Sequence, residues 1–147
     1  MKTHLSRILI PALLVCLVLC LVSCDISFVG TDPLPDVWDN ALYTEDTALG
    51  EGELTFTLKV KTADRTVTFT VSTDCTVLGD ALLACELVEG DEGAYGLYIT
   101  HVNGMEAKDS DKAWWCLYEG DTMAATGADG ITLTEGAEYT LAYEFWG

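Results

Sequence analysis

The chain has 147 residues and a formal net charge of −17, because 24 acidic residues outnumber seven basic ones. Such a chain repels polyanions, so its composition argues against binding to nucleic acid. The length suffices for one domain with one core.

The N-terminal segment has the features of an export signal. Lys2 and Arg7 precede "ILIPALLVCLVLCLV", an apolar run too short for a membrane-spanning helix. The run ends in "LVSC", which resembles the bacterial lipobox. We therefore expect residues 1–23 to be a lipoprotein signal peptide and Cys24 to become a lipidated amino terminus. The protein is then exported and anchored to the outer face of the cell membrane, with the lipid bilayer as its partner. The alternative is an ordinary secretory signal that happens to contain cysteines.

Three further cysteines, Cys75, Cys85 and Cys116, allow at most one internal disulfide. A predicted helix begins near Cys75 and has Cys85 about three turns into it, which would hold the two residues too far apart to bridge. This leaves Cys85 with Cys116 as the candidate disulfide. The alternative is that these residues are small buried apolar side chains.

Residues 24–52 are expected to form an acidic tether that contains Pro and Gly. They include "DPLPD" and show no sustained hydrophobic period. Order is expected to begin around Trp38 to Tyr43, where apolar residues return. The domain itself is predicted over residues 53–147.

The next segment, "ELTFTLKVKTADRTVTFTVST", alternates apolar with polar residues and predicts a β-hairpin with one wet face of Thr and Lys. A single helix follows in "TVLGDALLACELV", with Thr76 as its N-cap. Leu78, Leu82 and Cys85 recur at helical spacing, so this helix can cover the apolar face of the hairpin.

Strands dominate the rest of the chain. Tyr95 to Val102 predicts a strand before the turn at Asn103-Gly104, and the aromatic "KAWWCLYEG" and "EYTLAYEFWG" predict two more. A hairpin, one helix and then several strands is the order of an α+β fold. We predict a β-grasp-like mixed sheet packed on a single helix.

Signatures of catalysis are missing from the sequence. It has no GxSxG, CxxC, HExxH, phosphate-loop or dinucleotide motif, and His101 and Cys116 fall in different predicted strands. Asp109, Asp111 and Asp129 offer loop oxygens without the spacing of an EF-hand. We predict no enzyme, no catalytic residue, no metal site and no resident cofactor.

The adjacent pair Trp114 and Trp115 cannot serve the same core, because successive side chains of a strand point to opposite faces. We expect Trp115 to lie in the core and Trp114 on an open face. Cys116 shares the face of Trp114, so this expectation conflicts with a bridge from Cys116 to the helix.

Three stretches of the sequence carry a family resemblance over Leu42 to Phe145. The stretches "LYTEDTALGEGELTFTLKV", "STDCTVLGDALLACELVEGDEGAYGLYITHVNG" and "AWWCLYEGDTMAATGADGITLTEGAEYTLAYEF" together resemble the transcobalamin C-terminal-like domain, a bacterial export module of unassigned function. In the vertebrate cobalamin carriers the similar domain closes over the corrinoid as a lid. The resemblance implies a non-catalytic module that binds a small molecule, a corrinoid such as cobalamin. Its platform would be Trp114, Trp115, Tyr118 and Tyr98.

Two departures from the family pattern limit this implication. The helical partner domain is absent from the sequence, and "EGD" (Glu119 to Asp121) stands where the family usually has an Asn-Gly turn. The alternative hypothesis is a cell-surface structural or protein-interaction domain that meets an envelope protein and has no small-molecule ligand.

Overall fold

The structure is a computed structural model, which describes residues 36–147. The predicted signal peptide of residues 1–23, the lipidation site Cys24 and the first part of the tether lie outside the described residues. None of the helices formed by residues 36–147 has the length and apolarity needed to cross a membrane.

The described chain folds into nine strands, one α-helix and three short 3₁₀ helices. The strands are β1 Thr47–Leu49, β2 Leu54–Lys61, β3 Thr66–Thr73, β4 Val88–Gly93, β5 Gly96–Val102, β6 Met105–Glu106, β7 Ala113–Glu119, β8 Thr122–Met123 and β9 Glu138–Phe145. Helix α1 spans Leu78–Ala84, and the 3₁₀ helices span Val37–Asn40, Asp109–Asp111 and Ala128–Gly130.

The strands form two sheets. The large sheet has the order β1-β3-β2-β9-β7-β8, and the small sheet has the order β4-β5-β6. Pairing is parallel between β1 and β3 and between β2 and β9, and antiparallel elsewhere. The predicted mixed α+β fold, with a hairpin followed by a helix and then strands, is confirmed.

The hairpin of β2 and β3 divides its residues between two faces as the alternation predicts. Phe56, Leu58 and Val60 are fully buried, and they join α1 residues in one core. Lys59 and Lys61 point to the opposite side, which we call the outer face of the large sheet. One face of this sheet therefore supports the core, and the other is available for contacts.

Helix α1 begins one residue later than predicted and is shorter. Its N-cap is Val77, not Thr76, and no side chain caps it. Val77 forms a β-bridge with Thr132, and the first helical N–H, that of Leu78, donates to Ile131 O at 2.9 Å. This pairing keeps the chain extended through Val77, so the prediction of Thr76 as N-cap is wrong.

The predicted disulfide between Cys85 and Cys116 is not formed, and Cys75, Cys85 and Cys116 are all free in the described structure. Cys85 is the C-cap of α1 and packs against the core, with its Sγ donating to Leu82 O at 3.5 Å. Cys116 belongs to the outer face of the large sheet, because it alternates with the core residue Trp115. The sheet therefore separates the two thiols.

Residues 36–52, which the sequence assigned to the tether, take part in the fold. Trp38 is 4% exposed, and its Nε1–H donates to Thr62 Oγ1 at 2.9 Å. Strand β1 adds a parallel edge to β3. Asn103 fixes this segment, since its side chain accepts from Tyr43 N–H at 2.9 Å and donates to Tyr43 O at 2.7 Å.

Candidate functional site

Strand β7 places its two tryptophans on opposite faces of the large sheet. Trp115 is 5% exposed, its Nε1–H donates to Met105 O at 3.2 Å, and its ring meets Tyr143 edge-on with centroids 5.2 Å apart. Trp114 is partly buried on the outer face. The predicted division, with Trp115 in the core and Trp114 on the open face, is confirmed.

A slot of about 210 Å³ lies beside Trp114, where β5 and β7 approach without pairing. It is lined by residues 97–99 of β5, 114–117 of β7 and 123–128 after β7, although residue 125 does not contribute. None of these side chains is charged. Tyr98 and Met123 are each about half exposed at this slot. The slot is therefore an uncharged, partly aromatic surface that solvent reaches.

The backbone of Trp115 is unpaired on the side of β7 that faces the slot. Ala113 N–H donates to Lys108 O at 3.2 Å, and Leu117 O accepts from Ala124 N–H at 2.9 Å, so odd-numbered residues turn their backbone groups to this edge. Strand β8 pairs only with Tyr118 and Glu119. Among residues 36–147, the N–H and C=O of Trp115 thus have no strand partner, and they can bond a ligand or water.

A wider trough of about 640 Å³ crosses the outer face of the large sheet. Thr140 and Ala142 of β9 lie between Lys59 and Lys61 of β2 on one side and the ring of Tyr118 on the other. Short side chains thus form the floor, and long ones form the two walls.

The four residues predicted to bind a ligand fall in two places. Tyr98, Trp114 and Trp115 line the slot, whereas Tyr118 lines the trough. Only the first three can contact one ligand within the slot. Their roles in binding stay predictions.

Residues 75–144 match the Domain of unknown function DUF4430. A crystal structure of a protein from Ruminococcus gnavus, provisionally described as metal binding, is 33% identical to this chain and superposes with a TM-score of 0.61. The match covers 65% of this chain and 100% of that one. The chain belongs to the DUF4430 family.

A second solved structure, haptocorrin in complex with Cbi, is 19% identical, with a TM-score of 0.49. The match covers 64% of this chain and 25% of haptocorrin, so the chain spans about a quarter of that protein's length. No curated protein matches the chain significantly. The family resemblance predicted from the sequence motifs is confirmed as membership of the DUF4430 family.

The outer face of this DUF4430 domain carries a hydrogen-bonded pair in the trough. Tyr118 Oη donates to Glu144 Oε1 at 2.7 Å, and this bond raises the pKa of the phenol well above its ordinary value. Burial, followed by the charge of Glu144, raises the pKa of the neighbouring Cys116 thiol. Both groups therefore stay protonated at neutral pH.

The pair of Cys116 and His101 is not arranged for nucleophilic catalysis. His101 lies in the small sheet, where its Nδ1 shares a hydrogen bond of 3.0 Å with Thr100 Oγ1. Cys116 lies in the large sheet with a raised pKa, which is the opposite of what an attacking thiolate needs.

The three loop carboxylates that the sequence offered as cation ligands do not lie together: one has a structural role, and the other two lie in a different, exposed segment. Asp129 Oδ2 accepts from Leu97 N–H at 2.9 Å and thereby holds the start of β5. Asp109 and Asp111 lie in an exposed 3₁₀ helix. Within residues 36–147, no three His, Cys, Asp or Glu side chains are grouped as a metal centre.

Sequence reasoning missed two kinds of site residue. Met123 and Ile99 contribute to the slot, but an apolar residue in a two-residue strand, or one within the predicted strand β5, gives no signal of this role. Lys59 and Thr140 were visible as the wet face of their strands, and nothing along the chain showed that β2 and β9 would be neighbours. Parallel pairing over a long stretch of sequence created the trough.

Proposed function

We propose that this protein is an extracytoplasmic, non-catalytic binding module, tethered to the membrane through lipidated Cys24, whose slot holds a small uncharged molecule. The observation that carries the proposal is the lining of the slot. In a chain with a formal net charge of −17, this surface has no charged side chain and is partly aromatic. Concave sites with apolar walls and a few placed polar groups are typical of small-molecule binding.

The polar groups of the slot come from the backbone. Trp115 offers one N–H donor and one C=O acceptor at the slot edge, beside the partly buried ring of Trp114. A ligand with a flat apolar part and a neutral hydrogen-bonding group satisfies both features. Burying such a ligand avoids the cost of desolvating a charge.

A corrinoid is the ligand class to test first, because the family resemblance implies it. A corrinoid is flat, has amide groups at its rim and brings its own metal, so its binding requires no set of metal ligands from the protein. The provisional description of the Ruminococcus gnavus relative as metal binding is compatible with such a ligand. A slot of about 210 Å³ receives only an edge of the macrocycle, and the exposed ring of Tyr98 supports the remainder.

Titration of the purified protein with cobalamin tests this function, with corrin absorbance and tryptophan fluorescence as the two readouts. Saturable changes in both are expected, and Trp114→Ala or Tyr98→Ala should weaken them. Tyr95→Ala is the matched control, because Tyr95 is 97% exposed at the tip of the β4–β5 hairpin and does not line the slot. No saturable change at tens of micromolar cobalamin would exclude a corrinoid function.

A second candidate function is favoured by the unpaired edge of β7. An extended segment of an envelope protein could pair with the free backbone groups of Trp115, as happens when a peptide adds a strand to a sheet. A photo-crosslinking residue at position 123 should then capture one defined partner, and the same residue at position 95 should not. Capture without cobalamin binding would favour this alternative.

A further inference from the structure

We propose that the trough on the outer face of the large sheet is a second binding site, whose ligand is a neutral sugar chain. The trough is separate from the slot. It contains Tyr118, whereas the other three residues predicted to bind a ligand line the slot. The proposal therefore does not depend on the function assigned to the slot.

The register of the strands gives the trough its shape. Thr140 pairs with Lys59 on one side and with Tyr118 on the other. One row across the sheet therefore has a short side chain between two long ones. Lys59 and Tyr118 are two strand spacings apart, about 9.5 Å. Ala142 continues the short floor in the next row, beside Lys61. An elongated ligand can lie along β9 between these walls.

The carboxylates at the two ends of the floor are already held by the walls. Glu138 Oε1 accepts from Lys59 Nζ at 2.8 Å, and Glu144 Oε1 accepts from Tyr118 Oη at 2.7 Å. Each carboxylate keeps its second oxygen as an acceptor. The part-buried pair of Tyr118 and Glu144 is thus oriented before a ligand arrives, which lowers the entropic cost of binding.

The charges of the trough favour a neutral ligand. Two ammonium groups, of Lys59 and Lys61, face three carboxylates, of Asp121, Glu138 and Glu144. An anion such as phosphate is repelled by the carboxylates, and a cation is repelled by the ammonium groups. A neutral molecule with many hydroxyl groups uses both, because each hydroxyl donates and accepts.

The ring of Tyr118 supplies the remaining feature of a sugar site. Its hydroxyl is committed to Glu144, which fixes the ring as one wall of the trough. A rigid aromatic face packs against the apolar C–H face of a pyranose, while the pyranose hydroxyls bond the opposite wall and the floor. This combination of one apolar face and a hydroxyl-bearing edge distinguishes a sugar chain from a purely polar osmolyte.

Calorimetric titration of the purified protein with cellopentaose, maltopentaose and chitopentaose tests the proposal. At least one of these neutral chains is expected to bind at millimolar concentration or below. Tyr118→Ala should weaken its binding about tenfold, and Tyr118→Phe, which keeps the ring, should weaken it less.

A second variant keeps the test decisive if Tyr118→Ala fails to fold. Thr140→Tyr fills the floor of the trough from the outer face and should abolish binding. Thr70→Tyr is its matched control, because Thr70 is exposed on the same face outside the trough. Tyr98→Ala, a slot variant, should also leave sugar binding unchanged. Failure of all three sugars to bind, or binding that survives Thr140→Tyr, overturns the proposal without touching the slot.

Discussion

The two adjacent tryptophans of β7 should differ sharply in what they contribute to stability. Trp115→Ala removes a side chain that is 5% exposed, and with it the hydrogen bond to Met105 O and the edge-on contact with Tyr143. A buried Trp covers about 150–250 Å², which corresponds to about 4–6 kcal/mol at about 25 cal/mol per Å² as an upper bound. Measured Trp-to-Ala changes in cores cost about 3–5 kcal/mol.

We therefore expect Trp115→Ala to lower the free energy of unfolding by about 4 kcal/mol, a large share of the total for a domain. Trp114→Ala should cost about 1–2 kcal/mol, because solvent fills the space that its partly buried ring leaves on the outer face. We thus predict a clear difference in the free energy of unfolding between the two variants. This difference follows from the alternation of β7, which places the two side chains on opposite faces.

Guanidinium unfolding followed by far-UV circular dichroism measures both variants without relying on the tryptophan signal. The dependence of the free energy on denaturant should stay the same while the midpoint moves. Trp115→Phe serves as a control, since it keeps an aromatic ring in the core and should recover part of the loss. Equal losses for Trp114→Ala and Trp115→Ala would refute the division of the two faces.

Three further predictions concern the anchor, the N-terminal segment and the thiols. Cys24→Ser should move the protein from the membrane fraction to the medium, and retention in the membrane would count against lipidation. Asn103→Ala should lower the free energy of unfolding by about 2–4 kcal/mol in a denaturant titration. The change leaves both backbone groups of Tyr43 unpaired, and it places Ala at position 103, where φ is 53°. Burial raises the pKa of Cys85 and Cys116 above the ordinary 9.0, so the unfolded chain loses these protons first. Their contribution to stability is complete below that pH and falls as pH rises through it. Unfolding measured from pH 7 to 10 should therefore show a fall in stability, and replacing both cysteines by Ala should reduce this fall without removing it, because Tyr118, Tyr139 and Tyr143 also have raised pKa values.

Local sequence patterns were sufficient to predict those parts of the fold that depend on the residues of a single strand or turn. The alternation of Phe56, Leu58 and Val60 with Lys59 predicted which face of the hairpin is buried, because the side-chain period of a strand is two. The Asn103-Gly104 turn was predicted by its residue types, which tolerate positive φ.

Features that depend on distant pairing could not be predicted in the same way. The entry of Trp38 into the core depends on Thr62, 24 residues away, and the extended Val77 depends on Thr132. The same holds for the slot, which exists because β5 joins the small sheet while β7 joins the large one. Only the three-dimensional neighbours of these residues decide such outcomes.

Strand β7 presents three different surfaces, and this explains why both of its faces carry aromatic side chains. Its odd-numbered side chains, led by Trp115, pack into the core, and its even-numbered side chains point to the outer face. Its free backbone edge borders the slot, while Tyr118 forms a wall of the trough. Since core, slot and trough meet on one strand, a change that loosens Trp115 should weaken binding at both sites at once. Changes at Tyr98 and Thr140, which lie on other strands, should affect the slot and the trough separately.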